Sequence, residues 1–163
     1  MKVEDVDPGR FPLLAALSPE ELEPLLPLLE PRKLARGRWV CREGAEADGL
    51  LLLQSGRVEV STDRARGAAV FEAGAAIGGL SLITVGPREL AARTLEACEL
   101  WVLSRSQWHR LAEDHPRTAF RLLEAIAQEL AASLREALDG LSATPLERTR
   151  PSPRDRRSGE PLH

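Results

Sequence analysis

Between residues 32 and 105, glycine recurs at Gly37, Gly44, Gly49, Gly56, Gly67, Gly74, Gly78 and Gly86, and the runs between these turns are short and rich in leucine or β-branched residues. Punctuation this regular leaves no room for a helix and points to an all-β sandwich or barrel. Val58 and Val60 alternate with Arg57 and Glu59, the pattern of a strand with one face buried, whereas Leu95 to Leu103 reads as a strand covered on both faces. With no tyrosine and only three phenylalanines in the chain, the core must be aliphatic.

Helices flank this region. Ser18-Pro19-Glu20-Glu21 combines an N-cap serine, proline at the first helical position and a glutamate at the capping-box position. Leu22, Leu25, Leu26 and Leu29 then form one apolar face, so a short helix is expected over residues 18–29, broken by Pro24 and Pro27. Ser106 is placed as the cap of a helix beginning at Gln107. After Pro116 a longer helix runs to about Leu141, where Gly140 and Pro145 are expected to end it. The fold class is thus mainly β with flanking helices, a jelly-roll-like β-roll with a short N-terminal and a long C-terminal helix.

The long helix carries two apolar stripes. Phe120, Leu123, Ala127, Leu130, Leu134, Ala137 and Leu141 make a heptad seam, while Ala119, Leu122 and Ile126 lie on a neighbouring face. Either both stripes pack on the chain's own β-domain, or the seam meets a second copy. The second reading is preferred, because leucines alternating with alanines allow close helix approach, so a homodimer through residues 106–141 is expected.

Charge and composition exclude several functions. A net charge of −3 over 163 residues argues against a nucleic-acid partner. No apolar run approaches membrane-spanning length and no secretory leader precedes the domain, so a cytoplasmic protein with no membrane partner is expected. Cys41 and Cys98 lie in apolar stretches without metal-ligand spacing and read as buried, reduced thiols. His109 and His115 sit alone on polar helix faces, and Trp39, Trp101 and Trp108 read as core or rim packing. No nucleophile elbow, catalytic carboxylate pair or P-loop occurs, so neither an enzyme nor a cofactor is expected. Residues 1–9 read as an N-terminal segment. Residues 142–163, rich in Pro, Ser and Arg (Arg148, Arg150, Arg154, Arg156 and Arg157), read as a disordered tail.

The densest chemistry lies at Ile77-Gly78-Gly79-Leu80-Ser81-Leu82, followed by Ile83-Thr84-Val85-Gly86 and Pro87-Arg88-Glu89-Leu90-Ala91. A glycine turn that opens a one-turn helix aims free backbone N–H groups at a point where an anion can sit. Arg88, returning from the loop, can pair with the same anion through a charge-assisted bond.

These residues resemble the phosphate-binding cassette of the cyclic nucleotide-binding domain family, whose members include the catabolite activator protein and protein kinase A regulatory subunits. Leu17-Ser18-Pro19-Glu20-Glu21-Leu22, Arg42-Glu43-Gly44 with Ala47-Asp48-Gly49-Leu50, and Leu53-Gln54-Ser55-Gly56-Arg57-Val58-Glu59-Val60 resemble other family segments in the family's order, so the likeness covers about residues 10–138 and the domain is expected to span residues 10–141. It implies a cyclic nucleotide ligand, cyclic AMP above all, held by Gly78, Gly79, Leu80, Ser81, Pro87, Arg88 and Ala91.

The cassette departs from the family pattern. The family's acid, which holds the ribose 2′-hydroxyl, is replaced by Gly79; Glu89 follows the arginine with a charge that could compete for it; Ala91 stands where a hydroxyl is frequent; and Ser81 replaces an alanine. Two lost contacts of roughly 1–2 kcal/mol each amount to about ten- to several-hundred-fold in affinity. The expected function is a freestanding, dimerising regulatory or adaptor domain with weak or lost cyclic nucleotide binding and a protein partner. A nucleotide sensor with an atypical cassette is the alternative. A catabolite-activator-type transcription regulator would add a helix-turn-helix domain, for which residues 142–163 leave little room.

Overall fold

The structure is a computed structural model that describes residues 1–64 and 67–142. The expectation of a disordered tail therefore falls outside the described residues from 143 onward. Among the described residues eight strands form two antiparallel four-stranded sheets. The first has the order β1 (Glu30–Leu34), β8 (Cys98–Ser104), β3 (Gly49–Ser55), β6 (Ala76–Ile77); the second has β2 (Trp39–Cys41), β7 (Ala91–Thr94), β4 (Val58–Ser61), β5 (Ala68–Phe71).

The unbroken run Leu50–Leu53 is explained by the layering, since β3 is covered on both faces. Leu50 and Leu52 join a cluster with Phe11, Leu14, Trp101, Leu103, Trp108, Leu122 and Ile126 under the helices. Leu51 and Leu53 point the other way, into the roll, with Val40, Val58, Ile77, Leu100 and Val102. Period two along a strand sorts successive leucines into two cores. β8 does the same with Trp101 and Leu103 on one side and Leu100 and Val102 on the other.

Four sequence expectations are corrected. The strand expected at Leu95–Leu103 begins only at Cys98, because the chain turns at residues 95–97 to leave the second sheet and enter the first. The helix expected over 18–29 is reduced to α2 (Pro19–Leu22) and a 3₁₀ turn, Leu26–Leu28, with a further short helix, α1 (Pro12–Ala15), before it. Pro24 and Pro27 remove backbone donors too close together for an α-helix to continue. The cap of α3 (Arg105–Asp114) is Ser104 rather than Ser106. Its hydroxyl accepts from the Gln107 amide at 3.3 Å while Gln107 Oε1 accepts from the Ser104 amide at 2.8 Å. α4 (Pro116–Ser142) runs through Gly140, which does not take the left-handed conformation of a terminating glycine.

The expected capping box at Ser18 is present, and Glu21 does more than cap. Its buried carboxylate lies 3.6 Å from Arg121 Nε and 3.8 Å from Arg117 Nε, tying α2 to α4. Cys98 is buried but Cys41 only half-buried, and desolvation pushes both thiols up, which keeps them in the unreactive protonated form. Among the described residues no cluster of His, Cys, Asp and Glu could hold a metal ion, and no helix is long and apolar enough to cross a membrane.

Candidate functional site

The cassette follows the edge strand β6. Gly78 turns the chain in the left-handed region (φ 80°, ψ 31°), and a 3₁₀ turn, Gly79–Leu82, follows directly. The return loop is pinned to the opposite turn: the Arg88 amide donates to Ala45 O at 2.8 Å and the Gly44 amide donates to Arg88 O at 2.9 Å. Pro87, on the exposed side, bridges to Glu46, and Ala91 opens β7 opposite Ser61. Gly78, Ser81 and Arg88 are thereby brought into one cluster, while Leu80 lies half-buried in the adjoining turn.

Among the described residues the acid beside the Arg88 guanidinium is Asp48, not the adjacent Glu89. The Arg88 side chain is only 4% exposed, whereas Glu89 lies on the surface. One guanidinium nitrogen, Nη2, donates to Gly49 O at 2.8 Å and lies 3.5 Å from Asp48 Oδ1; Nη1 lies 3.4 Å from Ser81 Oγ. The Ser81 hydroxyl is itself shared between the carbonyls of Gly49, at 2.6 Å, and Gly78. The serine that replaces the family's alanine thus helps to hold the arginine. Gly78 is required for this arrangement, since a Cβ there would stand 1.8 Å from Arg88 Nη1.

Gly79 proves to be a packing contact. A Cβ built on it meets Ile126 Cγ2 at 3.1 Å, closer than side chains usually approach. The helix therefore sits directly over the position where the family carries its ribose-holding acid. Beside this contact lies a cavity of about 260 Å³, with walls that include Leu50, Phe71, Ile77, Leu90 and Leu130 and with Glu129 and Ser133 of α4 at its edge. Its volume is below the range of about 300–1,000 Å³ usual for ligand pockets. Desolvation at this edge raises the Glu129 carboxyl above the usual carboxylate range, and its charged form opposes an anionic ligand.

One residue of this region escaped the sequence reading. Arg105, the first residue of α3, donates from Nε to Ser81 O at 2.9 Å and from Nη2 to Ala47 O at 2.6 Å and Thr84 O at 2.9 Å. It caps the carbonyl end of the cassette turn with a cation and fastens it to the hinge helix. Replacing it (Arg105→Met) is expected to cost about 2–3 kcal/mol, the worth of charge-assisted bonds to otherwise unpaired carbonyls. Urea unfolding measures the loss, and faster hydrogen exchange confined to residues 79–84 would locate it.

The two stripes of α4 separate as their spacing indicates. Ala119, Leu122 and Ile126 are buried against the domain, whereas Phe120 (63% exposed), Leu134 (61%) and Leu141 (72%) face outward, together with Ala127, Ala137 and Leu138, and Leu130 is shared between the outer face and the cavity wall. Leu123 is shared, being half-buried against the inner cluster.

This architecture and these segments are found in known proteins. The cyclic nucleotide-binding domain family matches residues 31–115. Among solved structures, a cyclic nucleotide-binding domain from Methylobacillus flagellatus KT is 30% identical with a TM-score of 0.71, over 79% of this chain and 75% of that one. The Thermus thermophilus catabolite activator protein is 30% identical with a TM-score of 0.67, over 80% and 63%. The acetyltransferase Pat of Mycolicibacterium smegmatis is 31% identical over 134 residues, which are 80% of this chain and 40% of that protein. The uncharacterized NTE family protein Rv2565 of Mycobacterium tuberculosis is 27% identical over 122 residues, 75% of this chain and 21% of that one. The chain thus spans roughly a fifth to two-fifths of these curated relatives, and what is shared is the β-roll with its cassette and hinge helix. It belongs to the cyclic nucleotide-binding domain family.

Proposed function

We propose that this domain works as a homodimerising regulatory or adaptor module in which cyclic AMP and cyclic GMP binding is weak or lost. The contact of Ile126 with Gly79 carries this reading. It places an aliphatic side chain where the ribose contact belongs, and a glycine cannot replace that contact. Two further features act in the same direction. Arg88 has three of its donor directions engaged by Gly49, Ser81 and Asp48, and a carboxylate, Glu129, borders the cavity that a negatively charged nucleotide would enter.

The dimer is supported by the outer stripe of α4. At 27 residues the helix is about 40 Å long, and its outward leucines form a seam that a second helix of the same kind covers by knobs-into-holes packing. Light scattering at micromolar concentration is expected to give the mass of two chains. Leu134→Glu, which sets a charge within the seam at an exposed position, is expected to give the mass of one with little change in the monomer's circular dichroism. A wild-type mass of one chain would remove the dimer from the proposal. The ligand half is tested by nucleotide titration, where no saturation is expected in the micromolar range.

A further inference from the structure

Residues 31–42 hold Arg32, Lys33, Arg36, Arg38 and Arg42 and no acid, in a chain whose net charge is −3. Charge this segregated has a structural counterpart on the outer face of the second sheet. Trp39, 42% exposed, is the only one of the three tryptophans outside the core. It pairs across the β2–β7 ladder with Arg93, and the guanidinium of Arg93 lies 5.5 Å from the centre of its ring. Arg42 lies over the same ring at 5.2 Å. Arg93 Nε donates to Gly37 O at 3.1 Å. Among the described residues no carboxylate lies within ion-pair distance of Arg36, Arg38, Arg42 or Arg93.

An exposed indole with two guanidiniums resting on it differs from an ordinary solvated charge. Cation–π attraction to the ring restrains each guanidinium, which reduces the freedom lost when it binds, and leaves terminal N–H groups able to receive a carboxylate. Tryptophan and arginine are also the side chains that most often dominate protein–protein contacts. Across the same face the ladder continues from Arg93 to Glu59 of β4 and from Glu59 to Val70 of β5, which is half exposed. Aromatic, cation, acid and aliphatic side chains thus follow one another at strand spacing. Nucleic acid prefers a continuous basic track for its phosphates, and Glu59 interrupts this one.

We propose that the outer face around Trp39, Arg42 and Arg93 is a docking surface for an acidic segment of a partner protein, with its carboxylates received by the two arginines held beside the indole. Such a surface gives the proposed adaptor its partner chemistry and rests on that reading. Peptide binding scores the surface, while nucleotide titration and mass score the adaptor, so either can fail alone.

The test uses the full chain and three labelled probes at low salt: a short peptide rich in aspartate and glutamate, its asparagine and glutamine counterpart, and a short oligo-dT. Anisotropy reports binding, and the emission of Trp39, the one exposed indole, reports its location. The acidic peptide is expected to bind and to shift that emission, and the neutral peptide to do neither. Arg42→Gln with Arg93→Gln is expected to weaken acidic-peptide binding about tenfold. Arg42→Lys with Arg93→Lys, which keeps the charge and loses the planar fork, is expected to weaken it about threefold. Replacing Arg154, Arg156 and Arg157 by glutamine is expected to leave it within about twofold. Failure of the acidic peptide to bind, wild-type affinity in either double variant, loss of binding in the Arg154, Arg156 and Arg157 variant, or tighter binding of oligo-dT than of the peptide would each overturn the proposal.

Discussion

Gly78→Ala is expected to destabilise the domain by about 2–4 kcal/mol. About 1–2 kcal/mol of this arises because a non-glycine residue is held at left-handed dihedrals. The remainder comes from Arg88. The new methyl group would occupy the space of Nη1, the guanidinium would have to leave its buried position, and Gly49 O would keep the Ser81 hydroxyl but lose its charged donor, a cost of about 1–2 kcal/mol. Urea denaturation measures the effect. A useful control is Gly44→Ala, another left-handed glycine but one whose added Cβ meets nothing within 4 Å, so it should show the backbone cost alone. Equal losses in the two variants would mean that Arg88 does not rest against the cassette turn as described.

The second large effect is at the contact between α4 and position 79. Ile126→Ala is expected to cost about 2–4 kcal/mol, since the side chain is buried against the inner cluster and its loss leaves a cavity. Gly79→Glu should also destabilise, by about 1–2 kcal/mol, because its Cβ would press on Ile126. Combined, the two should cost less than their sum by about 1 kcal/mol, the coupling expected of residues in contact. The functional corollary is that Gly79→Glu alone will not restore nucleotide binding. Restoration requires the glutamate and the space that Ile126→Ala provides. Additive stabilities, or nucleotide binding gained by Gly79→Glu alone, would show that the helix does not close the site.

The β-roll was legible in the sequence because glycine turns and two-residue periodicity act locally and repeatedly. Leu50–Leu53 could be read as a strand without knowing what covered it, although its division between two cores is visible only once the sheets are stacked. The two stripes of α4 were legible for the same reason, since the heptad spacing that makes them is a property of one helix. The site was legible in its parts and not in its contacts. The loss of the acid at Gly79 could be read directly, but the reason a glycine fits there is a methyl group on a helix far along the chain, and periodicity assigns Ile126 a face rather than a neighbour. Arg88 could be placed in the cassette, but the acceptors that draw it inward are the backbone carbonyl of Gly49 and the hydroxyl of Ser81, and a carbonyl leaves no mark in a sequence. Arg105 escaped notice on the same ground, because all three of its side-chain acceptors are carbonyls. Its neighbour Ser106 drew the helix cap two residues too far, where the Ser104 and Gln107 pair satisfies both backbone donors at once.

The three features that bear on the nucleotide are independent in origin: Ile126 over Gly79, the inward bonding of Arg88, and the carboxylate of Glu129 at the cavity edge. On the proposed reading, Ile126 bears on the ribose, while Arg88 and Glu129 both bear on the charged phosphate. Isothermal titration of cyclic AMP into the 163-residue chain tests them together. The expected result is no saturable heat up to millimolar nucleotide, unchanged by Arg88→Ala. Saturation with a low-micromolar dissociation constant, abolished by Arg88→Ala, would contradict the account and identify the domain as a working nucleotide sensor.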